Sequence, residues 1–251
     1  MAIKKIGAEE KCFFSADFHL MPEDSLNTLR SFLSRIQSGE HCFFLGDFFE
    51  VWYECRNQVP KGYYTLLNLL KGAVDRGVVL HLLKGNRDFL AGSTLMYMTG
   101  MHVYEGPLVL EQKGQKIVLM HGDELLPDDV SYQKYKRIIR SAPVLALAKI
   151  LPEHWVQKVA GNIRQKSKVK LSALPANTFE PKLDLVEDYF KKANVVHGIA
   201  GHLHKKLSLV NKDESICVQV LNQSTPKTIH YRCFENGVLS EELSCSGDLS
   251  D

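Results

Sequence analysis

The chain has 251 residues, 45% of them hydrophobic and 24% charged, the balance of a soluble globular protein long enough to bury a sizeable core. No apolar run approaches the ~18 residues of a membrane span, and the start from Met1 to Glu10 lacks the apolar stretch of a signal peptide, so a cytoplasmic protein is expected. Six cysteines with no Cys-x-x-Cys pair argue against a disulfide framework or a thiolate zinc site and read as reduced core thiols. In chain order, Lys11–Ala16, His41–Leu45 and Val78–Lys84 are apolar runs of the kind buried in parallel sheets. Between them, Pro22–Gln37 and Tyr63–Arg76 carry apolar residues at helical spacing, and Pro22-Glu23-Asp24 reads as the first turn of its helix. Strands alternating with helices predict a parallel α/β sheet, whose ligand sites lie beyond the strands' carboxyl ends. After Met101 the rhythm changes to short strands: Leu108–Gln112, Lys116–Met120, Val195–Ala200, Leu207–Val210, Ile216–Leu221 and Thr228–Phe234. These predict a second sheet packed on the first, within one domain spanning 1–251, with loose residues from about Cys245.

Residues Ser131–Ala173 interrupt this order, and a helix follows around Pro181–Lys192. The stretch Val144–Leu151 is apolar on nearly all sides, and basic residues flank it. From Gln133 to Lys170 there are ten lysines and arginines and one acid, Glu153, a charge of +9; the chain totals +2, so the remainder carries −7. The segment reads as an inserted helical cap of about 131–173. Its charge suits an anionic surface, and its apolar face suits either a membrane boundary, an acyl-chain pocket or a helical pair packed on its own core.

Five short segments carry the chemistry. They are Asp17-Phe18-His19, Gly46-Asp47-Phe48-Phe49-Glu50, Gly85-Asn86-Arg87-Asp88, Met120-His121-Gly122-Asp123 and Gly201-His202-Leu203-His204. Four of them follow a strand-like run. Any one alone is weak, since an isolated Asp-x-His is commonly a turn; five in order at strand ends exceed what packing requires. Together Asp17, His19, Asp47, Asn86, His121, His202 and His204 form a ligand set for two divalent metals side by side, the arrangement that activates water toward phosphorus. Asp47, the isolated aspartate of the middle strand end, is the expected bridge. Asp17, His19 and His204 would complete one site, and Asn86, His121 and His202 the other. Carboxylate, amide and imidazole without thiolate suit manganese or iron, with zinc also able to bind. Extended backbone through Asp17–His19 and His202–His204 would point each pair of ligands the same way.

This order of motifs resembles the calcineurin-like metallophosphoesterase superfamily, which implies a four-layer αββα sandwich with a dinuclear centre at the strand ends. More narrowly, Leu45–Trp52, Gly85–Leu90 and Met120–Asp123 resemble the UDP-2,3-diacylglucosamine hydrolases, over roughly Cys12 to Lys205. That resemblance implies hydrolysis of a pyrophosphate in a lipid A precursor, giving UMP and a diacylated sugar phosphate. It implies a nucleotide-sugar lipid as substrate, with peripheral contact at the inner face of the cell membrane. It places Asn86, Arg87, Asp129, Tyr132, Ser167, Lys168 and His202 at the substrate, with Asn86, Arg87 and His202 catalytic, and gives the cap an acyl-binding purpose. Many superfamily relatives carry a histidine where Arg87 stands. A phosphate leaving group needs no proton, so a fixed guanidinium that neutralises charge serves better there than an acid; the plain alternative is that Arg87 pairs with Asp88 or another carboxylate. Glu50 and Asp123 are expected behind the ligands, orienting them.

The chain departs from that family at Leu203 and Lys205, in Val220–Ser224, and at Leu171 and Leu174. Two other readings are a phosphodiesterase for another nucleotide, phospholipid or nucleic acid, and a non-catalytic scaffold. Sparse aromatics near the basic segment weigh against nucleic acid, and a scaffold has no use for seven ligands.

Overall fold

Alternation along the central strands sorts the apolar residues into three layers, and those layers define the architecture. The computed structural model describes residues 2–54, 58–126 and 181–246, with the single positions 138, 141, 143, 144 and 151. One sheet is built from β2 (Cys12–Ser15), β3 (His41–Phe44), β4 (Val79–Leu83) and β5 (His102–Tyr104), all parallel. On its other side β11 (Thr228–Glu235) pairs antiparallel with β2, and β12 (Val238–Leu239) and β13 (Leu243–Ser246) pair with β11. The second sheet runs β1 (Ala2–Lys5), β6 (Leu108–Gln112), β7 (Gln115–Leu119), β8 (His197–Ala200), β10 (Cys217–Val220), β9 (Leu207–Val210).

Because side chains alternate across a strand, Phe13, Cys42, Phe44, Leu80 and Leu82 face outward. They pack under helices α1 (Asn27–Ser34), α2 (Tyr64–Asp75) and α3 (Ser93–Thr99). Their neighbours Cys12, Phe14, Phe43 and Leu83 face the other way and meet Leu108, Leu110, Ile117, Leu119 and Ile199 of the second sheet. The outer face of that sheet, with Val109, Val118, Ala200 and Val218, is covered by Phe190 of α4 (Glu187–Ala193) and by Leu183 and Val186. The order is helix, sheet, sheet, helix: the four-layer αββα sandwich.

Three expectations are corrected. The first helix starts at Asn27, not Pro22, because the Asp24 carboxylate accepts the Met21 N–H (2.7 Å) and closes a separate turn. The helix expected at Pro181–Lys192 begins at Glu187, after a 3-10 turn at Leu183–Leu185. The tail is not loose at Cys245: Leu243–Ser246 form β13, with Cys245 buried opposite Ile229. The cap expectation lies largely outside the described residues, as do Asp129, Tyr132, Ser167 and Lys168. Of that segment, Leu151 packs with Val51, Tyr53 and Leu90. No described helix is long and apolar enough to cross a membrane.

Candidate metal centre

All five segments fall at the carboxyl ends of parallel strands, two or three residues past β2, β3, β4, β7 and β8. The two sheets thus contribute loops to one place. The loops are tied to each other through backbone: Asp17 N–H donates to Gly46 O (3.2 Å), His19 N–H to Asp47 O (2.9 Å) and Gly201 N–H to His121 O (2.8 Å). The His202 N–H reaches across from the second sheet to Asp17 Oδ2 (2.6 Å). Asp47 Oδ1 accepts the N–H groups of both Asn86 and Arg87 (2.8 and 2.9 Å), so this carboxylate also shapes the third loop. Phenylalanines inside the motifs anchor the loops from below. Phe18 and Phe48 are buried against Phe44, with ring centroids 5.4 and 4.3 Å away, and each full burial is worth about 1.5–3 kcal/mol.

The backbone carrying the ligands is not extended. Asp17, His19, Asp47, His202 and His204 all have positive φ, between 48° and 69°, a left-handed conformation that L-residues rarely adopt. The expected strand alternation of Asp-x-His and His-x-His is therefore wrong. Each of these five residues sits in a left-handed kink, and such strain persists only where surrounding contacts over-determine it.

The side chains gather as two trios, Asp17–His19–His204 and Asp47–His121–His202, each with ligand atoms within 4.8 Å of one another. Asn86 Oδ1 stands 3.0 Å from His121 Nε2 and 2.8 and 3.1 Å from the two carboxylate oxygens of Asp47. With that oxygen inward, acceptor faces acceptor, and a cation among them resolves the repulsion; with the amide turned over, its NH2 would satisfy the same atoms as hydrogen bonds. The imidazoles likewise face each other nitrogen to nitrogen: His19 Nε2 and His204 Nε2 lie 3.1 Å apart, as do His202 Nδ1 and His121 Nε2. Asp17 Oδ1 is buried with no hydrogen-bond partner among the described residues. Carboxylate, amide and imidazole atoms that converge on shared points are what a pair of divalent cations requires, and the donor set fits them.

The electrostatics of the cluster follow from burial and from the close approach of its carboxylates and imidazoles. Burial, with Asp47 nearby, pushes the Asp17 carboxyl up to about 7 despite the His121 imidazole. Asp47 is also disfavoured by burial, but the His121, His19 and His202 imidazoles outweigh it and hold the carboxyl below its ordinary range. His121 is raised to about 9 against its burial, by Asp47, Asp123 and Asp17. Burial lowers His202 to about 3 and His204 to about 4, helped by His121 and His19 respectively.

Supporting groups surround the ligands. His121 Nδ1–H donates to Leu45 O (2.9 Å), leaving Nε2 for the site. Glu50 Oε2 lies 3.3 Å from His19 Nδ1, and Asp123, buried, acts electrostatically on His121 and His202. Arg87 pairs with Glu50 (Nη1 to Oε1, 3.8 Å) rather than with Asp88. Asp88 instead accepts the N–H groups of Phe48 and Gly85 (2.8 and 2.7 Å), binding the second loop to the third. Sequence reasoning missed that role, although an aspartate three residues after a glycine is the pattern of such a turn. It also missed Glu54, whose buried carboxylate accepts N–H groups of Gly92, Thr94 and Leu95 and so caps α3.

A strand-end cluster of seven metal-type ligands on an αββα sandwich defines a class. The chain belongs to the calcineurin-like phosphoesterase family, whose model matches residues 11–206, and it is a metal-dependent hydrolase. Within curated proteins it is 30% identical over 196 residues to the UDP-2,3-diacylglucosamine hydrolase of Nitrosococcus oceani, covering 77% of this chain and 78% of that one. It is 31% identical over 198 residues to the enzyme of that name from Pseudomonas entomophila, covering 76% and 80%. For the Neisseria meningitidis protein the identity is 29% over 199 residues, covering 77% and 82%.

Proposed function

We propose that this chain hydrolyses the pyrophosphate of UDP-2,3-diacylglucosamine to UMP and 2,3-diacylglucosamine 1-phosphate. The observation that carries the reading is Arg87: it stands beside a seven-ligand phosphoesterase centre, with Nε buried and without a hydrogen-bond partner among the described residues. Similarity over three quarters of the chain to hydrolases of that name supports it.

Asp17, His19 and His204 would hold one cation, Asn86, His121 and His202 a second, and Asp47 would bridge them. Two divalent ions, manganese by the character of the ligands, would supply an activated water and a countercharge for the phosphoryl oxygens. Water's oxygen adds to the uridine-side phosphorus and the bridging P–O bond breaks, expelling the sugar phosphate. The leaving group is already anionic and needs no general acid. Arg87 neutralises charge that grows on the pyrophosphate, and Asn86 and His202 border the same phosphates. Asp129, Tyr132, Ser167 and Lys168 are proposed to touch the nucleotide sugar. The apolar group of Val51, Tyr53, Leu90 and Leu151, next to the Arg87 loop, would take the acyl chains. We place the protein in the cytoplasm, as one domain in salt-sensitive contact with the anionic inner face of the membrane.

The test is UMP release from UDP-2,3-diacylglucosamine by purified, manganese-loaded protein, with a chelated control. Chelator-sensitive release is expected. Failure to release UMP by protein that still cleaves a chromogenic phosphodiester would move the substrate to another nucleotide or phospholipid.

A further inference from the structure

Glu50 lies three residues beyond Asp47, on a loop zipped in parallel to the loop that carries Asp17 and His19. Leu20 N–H donates to Phe48 O (3.1 Å), Glu50 N–H donates to Leu20 O (2.9 Å), and Leu20 and Phe49 form an isolated parallel bridge. This backbone register sets the Glu50 side chain, buried, against the His19 ring. Its two oxygens do different things. Oε2 lies 3.3 Å from His19 Nδ1, an ion-pair contact without hydrogen-bond alignment, while Oε1 lies 3.8 Å from Arg87 Nη1. The opposite nitrogen of the same ring, His19 Nε2, faces His204 Nε2 at 3.1 Å and Asp47 Oδ2 at 3.8 Å.

One carboxylate therefore touches a candidate ligand through the nitrogen that ligand does not offer to the centre, and touches the guanidinium that borders it. With side-chain exposures of 10% for Glu50, 13% for His19 and 19% for Arg87, water screens these contacts poorly. A negative charge 3.3 Å from Nδ1 favours the proton there and so the lone pair on Nε2. The same charge holds a long, otherwise mobile guanidinium in one place.

We propose that Glu50 is a positioning residue that couples the two halves of the site: it fixes His19 as an Nε2 ligand and anchors Arg87 over the same centre. This rests on the metal-dependent phosphoesterase reading, not on the identity of the substrate. Glu50 touches neither substrate nor cation in this scheme. Its influence on the reaction passes through His19 and Arg87 together, so the effects of altering Glu50 and Arg87 should not be independent.

The experiment uses the full chain and the probe bis(p-nitrophenyl) phosphate. Wild type, Glu50→Gln, Glu50→Ala, Arg87→Ala and the Glu50→Gln/Arg87→Ala double variant are compared for manganese affinity by direct titration, for kcat and KM, and for thermal midpoint. Glu50→Gln is nearly isosteric and guards against misfolding of the alanine variant. Expected are manganese affinity weakened about 10–100-fold at one of two sites, and kcat lowered at least tenfold with KM within about threefold. In the Arg87→Ala background the same Glu50→Gln change should lower kcat by a clearly smaller factor. Manganese affinity and kcat both within twofold of wild type in Glu50→Gln would overturn the proposal. So would an equal kcat loss in both backgrounds, which would detach Glu50 from Arg87. Wild type that cleaves the chromogenic ester but releases no UMP from the nucleotide sugar would sink the substrate reading alone, because every readout for Glu50 is taken on the ester and the metal.

Discussion

Gly46 is pressed against the imidazole of His121. It has φ of +88°, and a β-carbon there would overlap His121 Nδ1 and come within 2.9 Å of Gly85 Cα. The ring cannot yield without giving up its hydrogen bond to Leu45 O. Gly46→Ala is therefore expected to turn His121 away from the centre and to strain the backbone as well. Activity should fall at least 100-fold, manganese binding should weaken, and stability should drop by about 2 kcal/mol or more. Isothermal titration with manganese and urea unfolding of the variant check this. Wild-type metal affinity would show that the loop absorbs the methyl group.

Asp47 serves two ends, the cation pair and the N–H groups of Asn86 and Arg87. Asp47→Ala removes both and should abolish turnover, by at least a thousandfold. Asp47→Asn separates the roles, since an amide oxygen still accepts the two N–H groups but brings no charge. It should keep the thermal midpoint within a few degrees of wild type while binding fewer than two manganese ions. Elemental analysis of both variants after gel filtration decides it, and normal turnover in Asp47→Ala would remove Asp47 from the bridging position.

Much of this was legible in the chain. Apolar runs ending in Asp-x-His or Gly-Asp mark buried strands and their carboxyl ends, because few other segments combine a full burial pattern with an abrupt polar stop. Each trio draws on both sheets: Asp17 and His19 after β2 meet His204 after β8, and Asp47 after β3 meets His121 and His202 after β7 and β8. What stayed hidden is conformational. No pattern of residue types announces that Asp17, His19, Asp47, His202 and His204 lie in the left-handed region, because tertiary contacts, not local preference, hold them there. Partners distant in sequence were equally invisible: Glu54 capping α3, and β13 pairing with β11 through Cys245 and Ile229. Asp24 misled the reading of α1 because an acid suits both a helix's first turn and a local side-chain turn.

Behind the ligands, midway along β4 of the first sheet, His81 is fully buried with Nε2 2.8 Å from His41 Nδ1 and Nδ1 3.2 Å from the Tyr104 hydroxyl. Its ring stacks on Phe43 at 4.1 Å and on His102 at 5.2 Å. Burial, and then the neighbouring His41, His102 and Lys4, lower its pKa to about 2, and burial lowers His41 as well. Unfolded histidine titrates near 6.5, so below that pH the unfolded chain takes up a proton that folded His81 refuses. Stability from this group is complete above pH ~6.5 and declines as pH falls toward 2, by about 1.4 kcal/mol per pH unit. His81→Leu should lower stability at pH 7.5 yet flatten its fall between pH 6 and 5 by about that amount. Urea unfolding of chelator-treated wild type and variant measures both slopes, and equal slopes would contradict the assignment.

His204 has φ of 56° and a side chain 43% exposed, which isolates backbone strain from packing. Glycine tolerates that conformation and alanine does not. His204→Gly should be more stable than His204→Ala by about 1 kcal/mol, although both lose a candidate ligand and should bind manganese equally poorly. In an unstrained exposed position the order would reverse, because glycine gains more entropy on unfolding. Denaturant midpoints of the metal-free variants give the sign directly, and alanine proving the more stable would mean the kink is not imposed on the chain.

Arg87 separates chemistry from metal binding. Its backbone N–H is held by Asp47, and its guanidinium contacts Glu50, while the residue itself supplies no ligand atom to either trio. Arg87→Ala should leave two manganese ions bound and lower kcat on the pyrophosphate by about 10²–10³-fold, the scale of removing one charge-stabilising donor. Arg87→Lys keeps the charge but not the planar fork, and should recover only part of the loss. Arg87→His would introduce a proton donor, which helps expel an alkoxide or phenoxide but is of no use to a phosphate leaving group. That variant should gain on a phosphodiester with an alkoxide leaving group relative to Arg87→Ala and gain nothing on the nucleotide sugar. Equal rescue on both substrates would mean that the position handles protons in this enzyme as well.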